Sequence, residues 1–231
     1  MKIKSDYLIN VLNRFNEEFD FKLKDILNYK SYKHKSFNGS IEWYKDENVG
    51  SLTLIKAKSL ISINTLYSYI FTPDKIDGPI LICDISHRND KYNIEVKFYD
   101  ISVKKNDYYK VMKNKSLITK QRYKEISNDK EFDTNEGKYL LDWSISKREK
   151  NDASAILEIA NLYLTGYIDL LRNCKEIEKN KKEDKINAFM YWVEKDESIL
   201  FSYMRKIFSK SDVNTFIKQL VYRKKFDEKN E

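Results

Sequence analysis

The chain has 231 residues, 41% of them hydrophobic, and 43 Lys and Arg against 36 Asp and Glu give a net charge of +7. That is enough apolar surface for a sizeable core, which excludes disorder, and the basic balance favours an acidic partner. Two cysteines, two histidines and five glycines supply no disulfide framework, no histidine-based metal cage and little material for a phosphate-cradling loop, so Rossmann dehydrogenases, kinases and P-loop NTPases are improbable.

Residues 5–19 read as an amphipathic helix, with Leu8, Val11, Leu12, Phe15 and Phe19 on one stripe and Ser5 as its cap. An irregular stretch follows, then a hairpin of Ser40–Lys45 and Ser51–Ala57 turning at 47–50. The segment "LISINTLYSYIF" (60–71) is β-prone, and alternation points Tyr67, Tyr69 and Phe71 the same way. After the turn "TPDKIDG" come a strand Pro79–Ile85, a polar turn "SHRND" and a strand Tyr92–Ile101. Residues 106–137 are polar and helix-tinged, and "KYLLDWSISK" (138–147) reads as another strand. Asn151 or Asp152 then caps a helix carrying Ile156, Ile159, Tyr163, Tyr167 and Leu170 at helical spacing. A charged tract, "EIEKNKKEDK" (176–185), precedes helices near 185–194, 198–208 and 211–223, the last capped by Ser211.

A helix, a meander of strands and further helices predict an α+β chain: a three-layer α/β/α sandwich around a central, mainly antiparallel sheet. No Pro/Gly/Ser-rich linker divides residues 1–231, so one domain is expected, with a basic, mobile tail from 224. The start carries charges where a signal peptide needs an apolar block, and no apolar run approaches membrane-spanning length. A soluble, cytoplasmic monomer is the expectation.

One residue stands out. Asp84 follows Ile80-Leu81-Ile82-Cys83, so its surroundings should be apolar, and a carboxyl there must be paired, hydrogen-bonded or protonated. Two readings stay open. Asp84 ends the strand and serves the "SHRND" turn or pairs with Arg88, or desolvation raises its pKa and makes it a proton donor near neutral pH. Alternation puts it on a face with Ile80 and Ile82, away from Leu81, Cys83 and Ile85.

The stretch "LIKAKSLISINTLYSYIFTPDKIDGPILICDI" resembles the ferredoxin-dependent bilin reductases: a strand ending in Phe71, a proline-containing turn, then "PILICDI" with Pro79, Cys83 and Asp84 in the family's order. "LLDWSISKRE" is similar to a family strand that carries Asp142, Trp143 and a propionate-binding arginine onto this chain, the last at Arg148. "YWVEKDESILFSYMRKIFSKSDVNTFIKQLVY" resembles the C-terminal helices and places a second functional aspartate at Asp196. The resemblance spans 52–105, 139–172 and 189–223.

It implies a catalyst that binds biliverdin or a related open-chain tetrapyrrole and holds no metal, flavin or nicotinamide. Electrons would come singly from reduced ferredoxin or flavodoxin, acidic proteins that suit a net charge of +7. Asp84 becomes the central proton donor, Asp196 a second donor and Tyr67 a further donor or a packing residue. Arg148 would hold a propionate bidentately. Tyr69 and Ile82 would line the floor, Arg88 would serve as a rim cation, and His87 as a turn histidine or ligand contact. Family members performing a four-electron exovinyl reduction have a histidine and a glutamate where this chain has Tyr67 and Ile55. Two-electron chemistry at the 15,16 bridge or the A-ring is therefore expected. Lys195 and Glu197 also depart from the pattern. A tetrapyrrole carrier on the same scaffold is the first rival, although retention of both aspartates argues against it. A nucleic-acid module built on "YKSYKHK" (29–35) is the second, with no RRM, KH or helix-turn-helix signature behind it.

Overall fold

The computed structural model describes residues 3–4, 6–30, 37–59, 65–128, 138–193, 195–196, 198–207 and 210–222. Among them the order is α1 (Tyr7–Asn16), β1 (Lys22–Lys30), β2 (Phe37–Asp46), β3 (Gly50–Ser59), β4 (Thr65–Pro73), β5 (Ile80–Arg88), β6 (Lys91–Tyr99), α2 (Tyr108–Arg122), β7 (Ile145–Lys150), α3 (Ser154–Arg172), α4 (Lys179–Val193), α5 (Ile199–Ile207) and α6 (Lys210–Val221). The strands form one sheet in sequence order, every neighbour antiparallel.

Helices cover both faces. Leu52, Leu54, Phe71, Leu81, Cys83, Ile85, Ile94 and Val96 pack against α1, α2 and α3, through residues such as Phe15, Met112 and Tyr167. Ile41, Ile55, Ile70, Ile80 and Ile82 face the other way and pack on Phe189 of α4, Phe201 of α5 and Ile217 of α6. The expected three-layer α/β/α sandwich is what the structure shows, with period-2 alternation sending each strand's neighbours into separate cores. Two threonines pin α6 to the sheet: Thr53 donates to the Leu220 carbonyl at 2.9 Å and Thr72 to that of Val221 at 2.6 Å, satisfying acceptors a helix C-terminus leaves unpaired.

Several expectations need correction. Residues 22–30, read as irregular, form edge strand β1, bulged between Leu23 and Asp25. Its Lys-rich outer side and exposed Leu23 and Ile26 blur the alternation, as an edge allows. Ser86, His87 and Arg88 belong to β5, paired with Asn93, Tyr92 and Lys91. The turn is Asn89-Asp90, and Asn89 takes φ 55°, a left-handed conformation its short polar side chain tolerates. The seventh strand begins only at Ile145, since Asp142-Trp143 turn and Leu140 makes an isolated bridge to Tyr99. Helix α3 has its backbone N-cap at Ala153, although Asp152 accepts from the Ser154 amide at 3.1 Å. Ser211 lies inside α6. Most of the tract 176–185 lies at the surface, but Lys182 within it is fully buried, and its ammonium donates to the carbonyls of Gly78 at 2.7 Å and Ile101 at 3.1 Å. Burial pushes that amine down to about 8. Ser5, residues 60–64, 31–35 of the basic-aromatic stretch, Glu197 and the tail from 224 lie outside the described residues.

Candidate active site

Asp84 does not end its strand. It lies in the middle of β5, one residue from Cys83 on the opposite face, and is fully buried. The register lays out the sheet face beneath α4, α5 and α6 in rows. Ile55, Ser68, Asp84, Glu95 and Ser146 form one row across β3 to β7. Toward one end lies Ile70–Ile82–Lys97, and toward the other Leu66–Ser86–Asn93–Arg148. Two core strands therefore carry carboxyls side by side under a helical layer, among aliphatic neighbours.

The N-terminus of α5 caps this row. The Leu200 amide donates to Asp84 Oδ2 at 2.9 Å, and the Ile199 amide to Glu95 Oε2 at 3.1 Å. Ser198 Oγ takes the Phe201 amide at 3.1 Å, so the first-turn N–H groups that a helix leaves orphaned are all used. The Ser68 hydroxyl donates to Asp84 Oδ1 at 2.6 Å. Asp196, in the connection between α4 and α5, accepts from Lys97 Nζ at 3.1 Å on each oxygen, from the Tyr99 hydroxyl at 2.8 Å and from the Ser198 amide at 2.8 Å. Lys97 Nζ also lies 3.9 Å from Glu95.

Burial is the first cause that raises the Asp84 carboxyl, from 3.8 to about 7. The Ser68 bond opposes it, the nearby Glu95 adds to it, and the Leu200 amide and Lys97 oppose it. A carboxyl held there is half protonated at neutral pH and can give a proton to a bound base. The mid-strand position rules out service to the "SHRND" turn, and Arg88, four residues along, pairs in register with Lys91 at the strand end.

The other expected residues divide by face. Ile82 lies beside Asp84 and is buried, and Arg148 sits on the same face at the sheet's edge, exposed, its Nε donating to Asn93 Oδ1 at 3.0 Å. Arg88 is on that face by alternation but exposed at the strand end. Tyr67 and Tyr69 are not. They pair with Ile85 and Cys83 and enter the opposite core, where Tyr67 meets Tyr7 edge-on at 6.1 Å. His87 also faces that side, stacked on Tyr92 at 4.3 Å. The reason is the register, in which Ser68, not Tyr67, is directly opposite Asp84. The sequence reading missed Ser68, Glu95, Lys97 and Tyr99; the signal was the alternation in "YNIEVKFYD", which sets Glu95, Lys97 and Tyr99 against Ile94, Val96 and Phe98.

The sandwich thus buries the Asp84 carboxyl at its centre and leaves the Arg148 guanidinium exposed at the edge of the same sheet face. No protein-family model and no curated protein matches the chain. The fold is similar to the crystal structure of phytochromobilin synthase from tomato in complex with biliverdin, with a TM-score of 0.74 and 10% sequence identity over 95% of this chain and 84% of that one. The chain thus shares the fold of that synthase. Among the described residues no helix is long and apolar enough to cross a membrane.

Proposed function

We propose that the chain is a ferredoxin-dependent bilin reductase, acting on a CH–CH unit of biliverdin or a related open-chain tetrapyrrole. The observation that carries the reading is the fully buried mid-strand carboxyl of Asp84 in the fold of a protein solved with biliverdin bound. A bilin is a flat conjugated chain with two propionates, and it needs apolar walls with a cation at one rim. Ile55, Ile70 and Ile82 supply the sheet side of such a slot, and Tyr99, Phe189 and Trp192, with centroids 5.0 to 5.7 Å apart, supply an aromatic flank. Arg148, steadied by Asn93, is the propionate cation. Asp84 is covered by the first turn of α5, so a ligand that touches it displaces that turn.

Asp84 protonates the tetrapyrrole, which makes the ring system a better electron acceptor, and electrons arrive singly from an acidic ferredoxin or flavodoxin. Among the described residues no histidine lies on the face of Asp84, whose row continues through Ser68 on β4 to Ile55 on β3. That supports two-electron chemistry at the 15,16 bridge or the A-ring. The test is an absorption titration with biliverdin, followed by anaerobic addition of reduced ferredoxin, beside Asp84→Asn. A red-shifted complex that converts to a product of shorter conjugation, with conversion stalled in the variant, supports the reading. A complex that never converts indicates a carrier, and no complex at all overturns the reading.

A further inference from the structure

The row that carries Asp84 ends on β7 at Ser146, the register partner of Glu95, which faces the layer of α4, α5 and α6 with it and is 3% exposed. Five serines are buried among the described residues. Four of them are engaged: Ser68 donates to Asp84, Ser116 donates to the Trp143 carbonyl, and Ser144 and Ser198 accept the Phe98 and Phe201 amides. Ser146 Oγ has no hydrogen-bond partner among the described residues. A buried hydroxyl left in that state costs stability, and native proteins keep few of them. The carboxyl across from it gives no relief, because Glu95 reaches for the Ile199 amide of α5.

The position of Ser146 says what the hydroxyl is for. Arg148 lies two residues along the same strand on the same face, about 7 Å away, and Asp84 lies two strands across, about 10 Å away. A flat ligand that gives an anionic group to Arg148 and a basic nitrogen to Asp84 has its body over the patch between them, which holds Asn93, Glu95 and Ser146. Asn93 already accepts from Arg148 Nε, and Glu95 accepts the Ile199 amide. Ser146 is the polar group of that patch still open to a ligand.

We propose that Ser146 is a ligand contact whose hydroxyl bonds the ring edge of the tetrapyrrole, at a lactam carbonyl or a ring N–H, while Arg148 takes the propionate. The inference rests on the bilin-reductase reading. A hydroxyl both donates and accepts, so it serves either ring group. A propionate fits Ser146 poorly, because its charge would lie buried beside the carboxyl of Glu95; at Arg148 it keeps its solvent and meets a guanidinium. The contact also fixes how far the ring system slides along the sheet, and so which part of it meets Asp84.

Ser146→Ala separates a ligand contact from a structural one. In the ligand-free protein the hydroxyl has no bond to lose, so the urea midpoint at pH 7 should hold or rise. In absorption titrations biliverdin should bind the variant about three- to tenfold more weakly than wild type. Biliverdin dimethyl ester, which has no propionate charge, should suffer the same fold-loss in the variant. A lowered urea midpoint shows that the hydroxyl serves the fold, and biliverdin affinity within about twofold of wild type shows that it touches no ligand. A loss that disappears with the ester shows that it holds a propionate. Each of these overturns the assignment. If wild-type protein binds no biliverdin, the bilin reading itself fails and the contact with it, whereas a variant that binds like wild type removes the contact and leaves that reading standing.

Discussion

Replacing Asp84 with Asn should make the protein more stable at pH 8 and leave it nearly unchanged at pH 4. In the folded chain the carboxyl titrates at about 7, raised chiefly by burial; in the unfolded chain it titrates at about 3.9. Between those values the folded state binds more protons than the unfolded one, so stability falls as pH rises and the loss is complete once pH exceeds the folded value. About three pH units at 1.36 kcal/mol each gives roughly 4 kcal/mol, and relaxation around the ion trims this to roughly 2–4 kcal/mol. Asn is never charged, keeps an oxygen for the Leu200 amide and can donate to Ser68 Oγ. Urea unfolding of both proteins at pH 4, 6 and 8 measures the difference. With a slope of roughly 2–3 kcal/mol/M, the variant's midpoint should rise above wild type by about 1 M at pH 8 and coincide with it at pH 4. A gap of the same size at all three values, or a less stable variant at pH 8, would refute the claim that burial of this carboxyl strains the fold.

Two other outcomes follow from the same packing. Lys97 is 3% exposed and is the ammonium between Asp196 and Glu95, so Lys97→Met leaves two buried carboxyls without it and should cost roughly 3–5 kcal/mol in chemical unfolding at pH 7; a loss below about 1 kcal/mol would show the cluster to be hydrated. A Cβ at Gly50 would lie 2.3 Å from the Thr72 carbonyl oxygen and 2.9 Å from Pro73 Cα, backbone atoms that cannot yield, so Gly50→Ala should lower the thermal midpoint sharply, by more than about 2 kcal/mol of stability. At Gly166 the nearest atom is the flexible Met112 Sδ at 2.9 Å, and Gly166→Ala inside α3 should stay within about 1 kcal/mol of wild type. Equal effects at the two glycines would contradict the contact argument.

The layers were legible because the strands of the central sheet alternate cleanly and the helices flank them in sequence. Asp84 was legible for the same reason, as the one charge after four apolar residues. What was not legible was register. The face of a residue on β4 depends on which residue of β5 it opposes, and a single step separates Tyr67, sunk in the opposite core, from Ser68, which touches Asp84. Glu95 and Lys97 were hidden by a different ambiguity. On a sheet with one wet face, their alternation with Ile94 and Val96 is the ordinary mark of solvent exposure. Only the covering of that face by α4, α5 and α6 turns the same pattern into a buried charge cluster. Arg148 was recoverable only through the family resemblance, since an exposed arginine on an edge strand carries no local signal.

The contacts of α5 tie the chemistry of the site to its opening. A helix start needs acceptors for its first amides, and buried carboxyls need donors, so Asp84, Glu95 and the turn at Ile199 and Leu200 satisfy one another. Any molecule that lifts the turn takes one amide from each acid, while Ser68 stays on Asp84 and Lys97 near Glu95, and has to bring donors of its own to replace them. A purely apolar ligand cannot do that, and an anion would add charge to a cluster already rich in carboxylates. A tetrapyrrole, the ligand proposed above, would bring pyrrole N–H groups to replace the lost amides and an imine nitrogen to accept a proton from Asp84. On the proposed reading, the ligand that opens the site is therefore one that Asp84 is also placed to protonate.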